Sequence, residues 1–341
     1  MRDLLAKIQN QNHLTPAEID RVFATMLSGK MSDAEIAAVL TAWTDKGEGA
    51  DEIHAGAKAL RHHAARVSLP DSVRPLIDNC GTGGDGSGSF NLSTAAAIVA
   101  ASAGARVAKH GNRSVSSKCG SADLLFRAGY PDTIAPAAAG QLLEKTGFTF
   151  FFAPNYHPVM KAVAAARKSL ATRTIFNLLG PLANPIGPEM QLVGVGARIY
   201  LERVAEVLCR LGVSRALVVH SRDGMDEISP AAPTDGVWVE NGKLSAIVID
   251  PKALGVIGTA QDLAGGDAEE NFHILTDVLN GQRQATADAV AVNAGAVLWL
   301  SGVANDLADG LALARKQLAS QAARRFFHGW LEEAKRLGVS P

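Results

Sequence analysis

Residues 81–94 of this chain read Gly-Thr-Gly-Gly-Asp-Gly-Ser-Gly-Ser-Phe-Asn-Leu-Ser-Thr, between a short apolar run at 73–80 and an alanine-rich segment at 93–103. A loop so rich in glycine lets backbone N–H groups approach a ligand, and the helix start behind it adds partial positive charge. The expected unit is a strand at 73–80, a phosphate-binding loop, a helix over 93–103 stopped by Gly104, and a second strand at 106–109. Gly81, Gly83 and Gly86 satisfy the spacing of a dinucleotide loop, but that fold wants an acidic residue about 20 positions on for the ribose. Arg106 and Lys109 stand there instead, and no Gly-Lys-Ser/Thr ends the loop as in an ATPase. Asp85 inside the loop would repel a bare pyrophosphate, so a cation or a ribose hydroxyl is expected beside it.

The chain around this unit changes texture. With 341 residues, 47% hydrophobic and 20% charged, it buries a large core and divides into about two domains. Residues 1–66 read as helices: Thr15-Pro16-Ala17-Glu18 and Ser32-Asp33-Ala34-Glu35 are capping boxes, Gly29 and Gly47 fit as stops, and Ile53, Ala57, Leu60 and Ala64 form an apolar stripe ahead of the break at Ser68-Leu69-Pro70. Strands at 190–195, 215–220 and 237–239 alternate with helices at 200–211 and 286–300, which predicts an α/β domain with a mostly parallel central sheet. A helix at 158–170, followed by turns at Gly180-Pro181 and Asn184-Pro185, reads as a return to the helical part, and 307–337 as helical. The expected architecture is a small all-helical domain, 1–70 plus about 158–188, and a larger α/β domain, 71–157 plus about 189–341.

Charge and cysteine content narrow the classes. With 33 basic and 34 acidic side chains, a net charge of -1 gives no general attraction to nucleic acid or an anionic membrane, so an anionic ligand needs a local site. Cys80, Cys119 and Cys209 are too scattered for a disulfide framework or a zinc site, which makes a reduced cytoplasm the default. The first residues lack the pattern of a signal peptide, and no apolar run reaches the roughly 18 residues of a membrane span.

A second loop, Lys109-His110-Gly111-Asn112-Arg113-Ser114-Val115-Ser116-Ser117-Lys118-Cys119-Gly120-Ser121-Ala122-Asp123, is dense in donors suited to a polyanion. Two such loops at the carboxyl ends of successive strands converge on one crevice. Asp226-Glu227 by itself reads as an exposed acidic pair, and Arg167 equally as a surface arginine. His62, His63, His157 and His220 lack a metal-ligand spacing and read as surface or packing residues, Cys80 and Cys119 as small buried or loop residues.

Four segments, GTGGDGSGSFNLST at 81–94, KHGNRSVSSKCGSAD at 109–123, RTIFNLLGPLANP at 173–185 and DGMDEIS at 223–229, resemble in order and spacing those of the anthranilate phosphoribosyltransferases, over nearly the whole chain. Cys80 and Cys119 depart from the family's usual aliphatic residue and serine. The resemblance implies that Gly81, Gly84, Asp85, Ser89, Asn91, Leu92, Ser93 and Thr94 contact phosphoribosyl diphosphate (PRPP), with Lys109, His110, Gly111, Asn112, Arg113, Ser114, Val115, Ser116, Ser117 and Ser121. It further implies that Ser93, Asp226 and Glu227 serve Mg2+, that Gly81, Asn112 and Arg167 contact anthranilate, and that the protein is a homodimer joined through its amino-terminal helices.

Displacement of pyrophosphate from the anomeric carbon builds oxocarbenium character on the ribose and negative charge on the leaving group. Mg2+ prefers oxygen ligands, one or two carboxylates plus phosphates, which suits Asp226-Glu227. A neutral aromatic amine attacks without a strong base, so orientation matters most: Arg167 would grip the carboxylate, while His110 would either take the amine proton late or orient the loop. With Arg167 on the helical part and both loops on the α/β part, the site is expected between domains, with hinges near Pro70 and Asn184-Pro185. Two alternatives remain: a pyrimidine nucleoside phosphorylase, which GTGGD alone would also suit, and a non-catalytic nucleic-acid binder, which the near-neutral charge disfavours.

Overall fold

The computed structural model describes residues 1–114 and 117–338. The amino-terminal helices are Arg2–Gln9, Pro16–Leu27, Asp33–Lys46 and Ala50–His62. Both capping boxes form: the Thr15 hydroxyl accepts from the Glu18 N–H while the Glu18 carboxylate accepts from the Thr15 N–H at 2.9 Å, and Ser32 with Glu35 repeats the pattern.

Seven strands make one sheet: β1 (Ile77–Asp78), β2 (Val107–Gly111), β3 (Phe148–Phe152), β4 (Met190–Gly194), β5 (Arg215–Ser221), β6 (Thr234–Glu240) and β7 (Lys243–Ile249), in the order β3-β2-β1-β4-β5-β6-β7. From β3 through β5 all pairs are parallel; β6 and β7 add an antiparallel edge. The chain leaves β1 toward β2 on one side and later returns to pair β4 on the other, so the order reverses beside β1. In an open α/β sheet, ligands bind in the crevice at the carboxyl ends of such a pair.

Several expectations shift. The 73–80 strand contracts to β1, because Val73 lies in the single turn Asp71–Val73 and Asn79 already leaves the ladder for the glycine loop. β3 was not expected: Phe148–Phe152 is buried on both faces along most of its length, so it shows no alternation. Nor was β7, although Asn241 and Gly242, both at positive φ, make the two-residue turn from β6, with Glu240 opposite Lys243. The 158–170 segment opens with the turn Pro158–Met160 before the helix Lys161–Leu170, and 307–337 divides into Leu307–Ala319 and Ala322–Gly338.

Period-two alternation sends the strands' side chains into two cores. Met190, Leu192, Leu217 and Val219 face one core, packed with the helices Leu92–Ser102, Gln284–Leu300, Leu307–Ala319 and Ala322–Gly338. Val193, Val195, Ala216 and Val218 face the other, which they share with the amino-terminal helices, Lys161–Leu170, Ile175–Leu179 and Leu201–Arg210. The Asn184 segment is tied to β1 and β2: its fully buried amide donates to Asp78 Oδ2 at 2.9 Å and to the Ala108 carbonyl at 2.8 Å. Among the described residues, no helix is long and apolar enough to cross a membrane.

Candidate active site

A cavity of about 680 Å3 opens at the carboxyl ends of β1 and β2, and all the described residues named above as candidates line it; Val115 and Ser116 lie outside the described residues. The glycine loop is held from behind. Thr82 donates its N–H to the Gly194 carbonyl at the end of β4 (2.8 Å), and its hydroxyl accepts from the Gly196 N–H (3.0 Å). Leu92 and Thr94 are buried, so their contribution to the cavity comes from the backbone at the helix start.

Lys109, nearly inaccessible, spends its ammonium protons beneath the loop, on the Asn79 carbonyl (3.3 Å), Asn79 Oδ1 (3.2 Å) and Ser93 Oγ (3.2 Å). It is a fixed positive charge in the floor rather than a mobile hand. Asp78, fully buried next to it, has its carboxyl pushed up to about 6, chiefly by burial, with Lys109 opposing.

Across the floor, Asp226 Oδ2 accepts from the Gly83 N–H at 2.7 Å, and the Asp226 N–H donates to Asp85 Oδ2 at 3.3 Å. This closeness requires glycine at 194, where a Cβ would stand 1.5 Å from the Asp226 carbonyl oxygen. Burial, and then the charge of Asp85, push the Asp226 carboxyl up to about 7. Burial and Asp226 likewise raise Glu227 well above the ordinary carboxylate range. The cluster is therefore short of positive charge, which fits a cation. Among the described residues, no three His, Cys, Asp or Glu side chains are grouped to hold a metal by themselves, so a hard divalent ion would draw its remaining oxygens from Ser93, water and the ligand.

On the facing wall the Arg167 guanidinium lies 5.3 Å from the Phe176 ring centre, with no carboxylate partner among the described residues; burial lowers its proton affinity. His110 is closed in. Its Nδ1 meets the Gly180 carbonyl at 3.0 Å, its ring stands edge-on to His157 at 5.2 Å, and its buried Nε2 has no partner in the protein. Burial, then His157, lower its pKa to about 3, so the imidazole is neutral. Arg113 turns toward Asp123 (3.0 Å), and Asn112 Oδ1 accepts from the Arg113 N–H at 2.7 Å while its side chain stays exposed at the mouth.

The structure adds Phe176, Asn177, Lys118 and Asn271 to the lining. Phe176 and Asn177 sit in the 173–185 segment already singled out. Asn271 had no local signal: on the helix Ala268–Leu279, it donates to Asn91 Oδ1 at 2.9 Å across a separation of 180 residues.

Comparison with known proteins gives this geometry its context. Residues 2–64 match the glycosyl transferase family helical bundle domain and residues 73–324 the glycosyl transferase family a/b domain. An anthranilate phosphoribosyltransferase of Rubrobacter xylanophilus is 43% identical over 339 residues, covering 99% of this chain and 98% of the relative. Anthranilate phosphoribosyltransferase 2 of Streptomyces coelicolor is 45% identical, covering 94% of this chain and 95% of its own. Among solved structures, the Thermus thermophilus enzyme superposes with a TM-score of 0.90 at 40% identity, over 98% of this chain and 99% of its own. The Saccharomyces cerevisiae enzyme in complex with PRPP and Mg gives 0.88 at 25% identity, covering 98% of both chains. With both domains in order and the similarity running end to end, the chain belongs to the anthranilate phosphoribosyltransferase family.

Proposed function

We propose that the cleft binds PRPP across the two donor loops and anthranilate against Arg167, and that its residues act by positioning and charge rather than by a strong base. The chain is an enzyme of tryptophan biosynthesis that transfers the phosphoribosyl group of PRPP to the amine of anthranilate, giving N-(5-phosphoribosyl)anthranilate and pyrophosphate. The observation that carries our reading of the site is the contact of Asp226 with the Gly83 N–H, which brings an acidic pair short of positive charge against a loop built for phosphate.

In this reading Asp226, Glu227 and Ser93 hold Mg2+. Bound there, the ion would offset charge growing on the departing pyrophosphate. The N–H groups of Gly81, Gly84 and Asp85 and the start of the helix Leu92–Ser102 cradle the phosphates, with Ser89, Asn91, Leu92, Ser93 and Thr94 at its mouth and Lys109 beneath. Gly111, Arg113, Ser114, Ser117 and Ser121 form the opposite bank. Arg167 grips the anthranilate carboxylate, with Phe176 behind it, while Gly81 and Asn112 flank the amine. For His110 the buried, neutral ring favours orienting the loop over taking a proton, and the attacking lone pair needs no base.

The same reading has a cytoplasmic homodimer joined through the amino-terminal helices, with small-molecule partners and neither nucleic acid nor membrane. Its helical part, 1–70 with about 158–188, would face an α/β part, 71–157 with about 189–341, across the cleft.

Loss of anthranilate fluorescence on adding PRPP, with Mg2+ and then with a chelator, tests the proposal. Loss requiring both substrates and Mg2+ is expected; turnover unaffected by the chelator would remove Asp226 and Glu227 from the assigned role.

A further inference from the structure

We infer that Asp123 is the positioning residue that fixes the second donor loop for the diphosphate, although it has no role of its own in binding. Its Oδ1 accepts from Arg113 Nη1 at 3.0 Å; its Oδ2 accepts from the Ser114 N–H at 3.1 Å and the Gly120 N–H at 2.9 Å. One carboxylate thus ties both ends of the loop together, and it is the only one bonded to residues 112–120 among the described residues. The ends are in close contact at Gly120, where a Cβ would stand 2.3 Å from the Ser114 nitrogen and 2.6 Å from the Asn112 oxygen. Arg113 is pinned further, its guanidinium 5.1 Å from the Phe126 ring centre and 5.9 Å from that of Phe152.

Arg113 is therefore spent on the loop's own structure, its charge balanced by Asp123. What the loop presents to the cavity is the exposed Lys118 and backbone N–H groups, whose spacing Asp123 sets, while the hydroxyls of Ser114, Ser117 and Ser121 donate to carbonyls within the loop. A carboxylate near a polyanion costs some repulsion; Asp123 is not itself among the residues that line the cavity, and its three charge-assisted hydrogen bonds offset that cost.

The inference rests on the reading that this loop meets the PRPP phosphates, so the test carries an arm for each. In Asp123→Ala the KM for PRPP should rise about tenfold while that for anthranilate stays within about twofold, with little change in ligand-free melting temperature. Asp123→Asn, which keeps an acceptor for the two backbone N–H groups but loses the charge facing Arg113, should rescue part of the loss. Lys118→Ala tests the loop itself. If Lys118→Ala raises the PRPP KM and Asp123→Ala does not, the role of Asp123 is wrong and the loop reading stands. If neither variant changes it, the loop reading fails and the inference with it. An equal rise for both substrates with a lowered melting temperature would make Asp123 a purely structural residue and overturn the inference.

Discussion

Arg167 is the clearest case of a side chain held ready for a ligand. A half-buried guanidinium with an aromatic face behind it and no carboxylate partner among the described residues carries a desolvation cost that a planar carboxylate would relieve. Arg167→Ala should raise the KM for anthranilate roughly ten- to hundredfold, the worth of a charged hydrogen bond, and leave the KM for PRPP nearly unchanged; equal effects in steady-state kinetics would refute its assignment. Asp78 makes a different prediction. Its folded pKa of about 6 lies above the ordinary 3.8, so the stability linked to its neutral form is fully present below about pH 4 and lost as pH rises through about 6. The shift corresponds to on the order of 3 kcal/mol. Asp78→Asn should abolish this part of the pH dependence: urea unfolding at pH 4.5 and 7.5 should show a smaller loss of stability in the variant than in the wild type. An amide facing the Asn184 Nδ2 changes the level of stability but not the slope, so parallel pH profiles would count against the titration of Asp78.

At the level of elements, the site depends on how strand ends meet loops. β4 ends on Gly194, and the loop after β5 crosses it so closely that even a methyl group would displace the Asp226 backbone. β4 is pinned by its ladder to β5 through Gly194–Val219, so the 222–229 loop is the part that must yield. Gly194→Ala should therefore lower kcat/KM by on the order of a hundredfold, as a displacement of about 1 Å near the chemistry does. Retained activity with an unchanged Mg2+ requirement would mean that the loop accommodates the methyl group without moving Asp226. Elements of this kind differ in how legible they are. The capping boxes of Thr15 and Ser32 and both donor loops announce themselves, because their chemistry is local. β7 carried a local signal too, in Asn241-Gly242, but its side chains are largely exposed and it forms an edge, which weakens the pattern. The link of Asn271 to Asn91 and the approach of Asp226 to Gly83 are products of tertiary folding alone, and no spacing in the chain encodes them. Resemblance supplied the Mg2+ role of Asp226 beside Ser93 and Glu227; on the residues alone Asp226-Glu227 reads as an exposed acidic pair.

Over the whole molecule, the two cores do not coincide with a division into helical and α/β parts. Phe23 and Trp43, stacked at 5.1 Å between centroids in the amino-terminal helices, belong to the same buried cluster as Val193, Val218 and Val239 of the sheet, with the helix Leu201–Arg210 between. The bond from the Tyr200 hydroxyl to the Glu48 carboxylate at 3.1 Å and that from Arg203 Nη1 to the Glu48 carbonyl at 2.9 Å tie the helical part further into its surroundings. A wide rigid opening between the two parts would tear this shared core and the Asn184 clamp. Adjustment around the ligands should instead be confined to the cavity side, near the helix Lys161–Leu170 and the two loops. One core shared across the junction predicts that the helical part unfolds together with the sheet it packs on. Trp43 lies in the shared core and Trp330 in the other, so each reports on a different side of the sheet. Urea unfolding followed through variants that retain only Trp43 or only Trp330 of the four tryptophans should give coincident midpoints, and calorimetry should give a single transition whose calorimetric and van't Hoff enthalpies agree. A Trp43 midpoint well below that of Trp330 would mean that the helical part unfolds by itself, and a hinged opening of the cleft would then become the better account of how substrates enter.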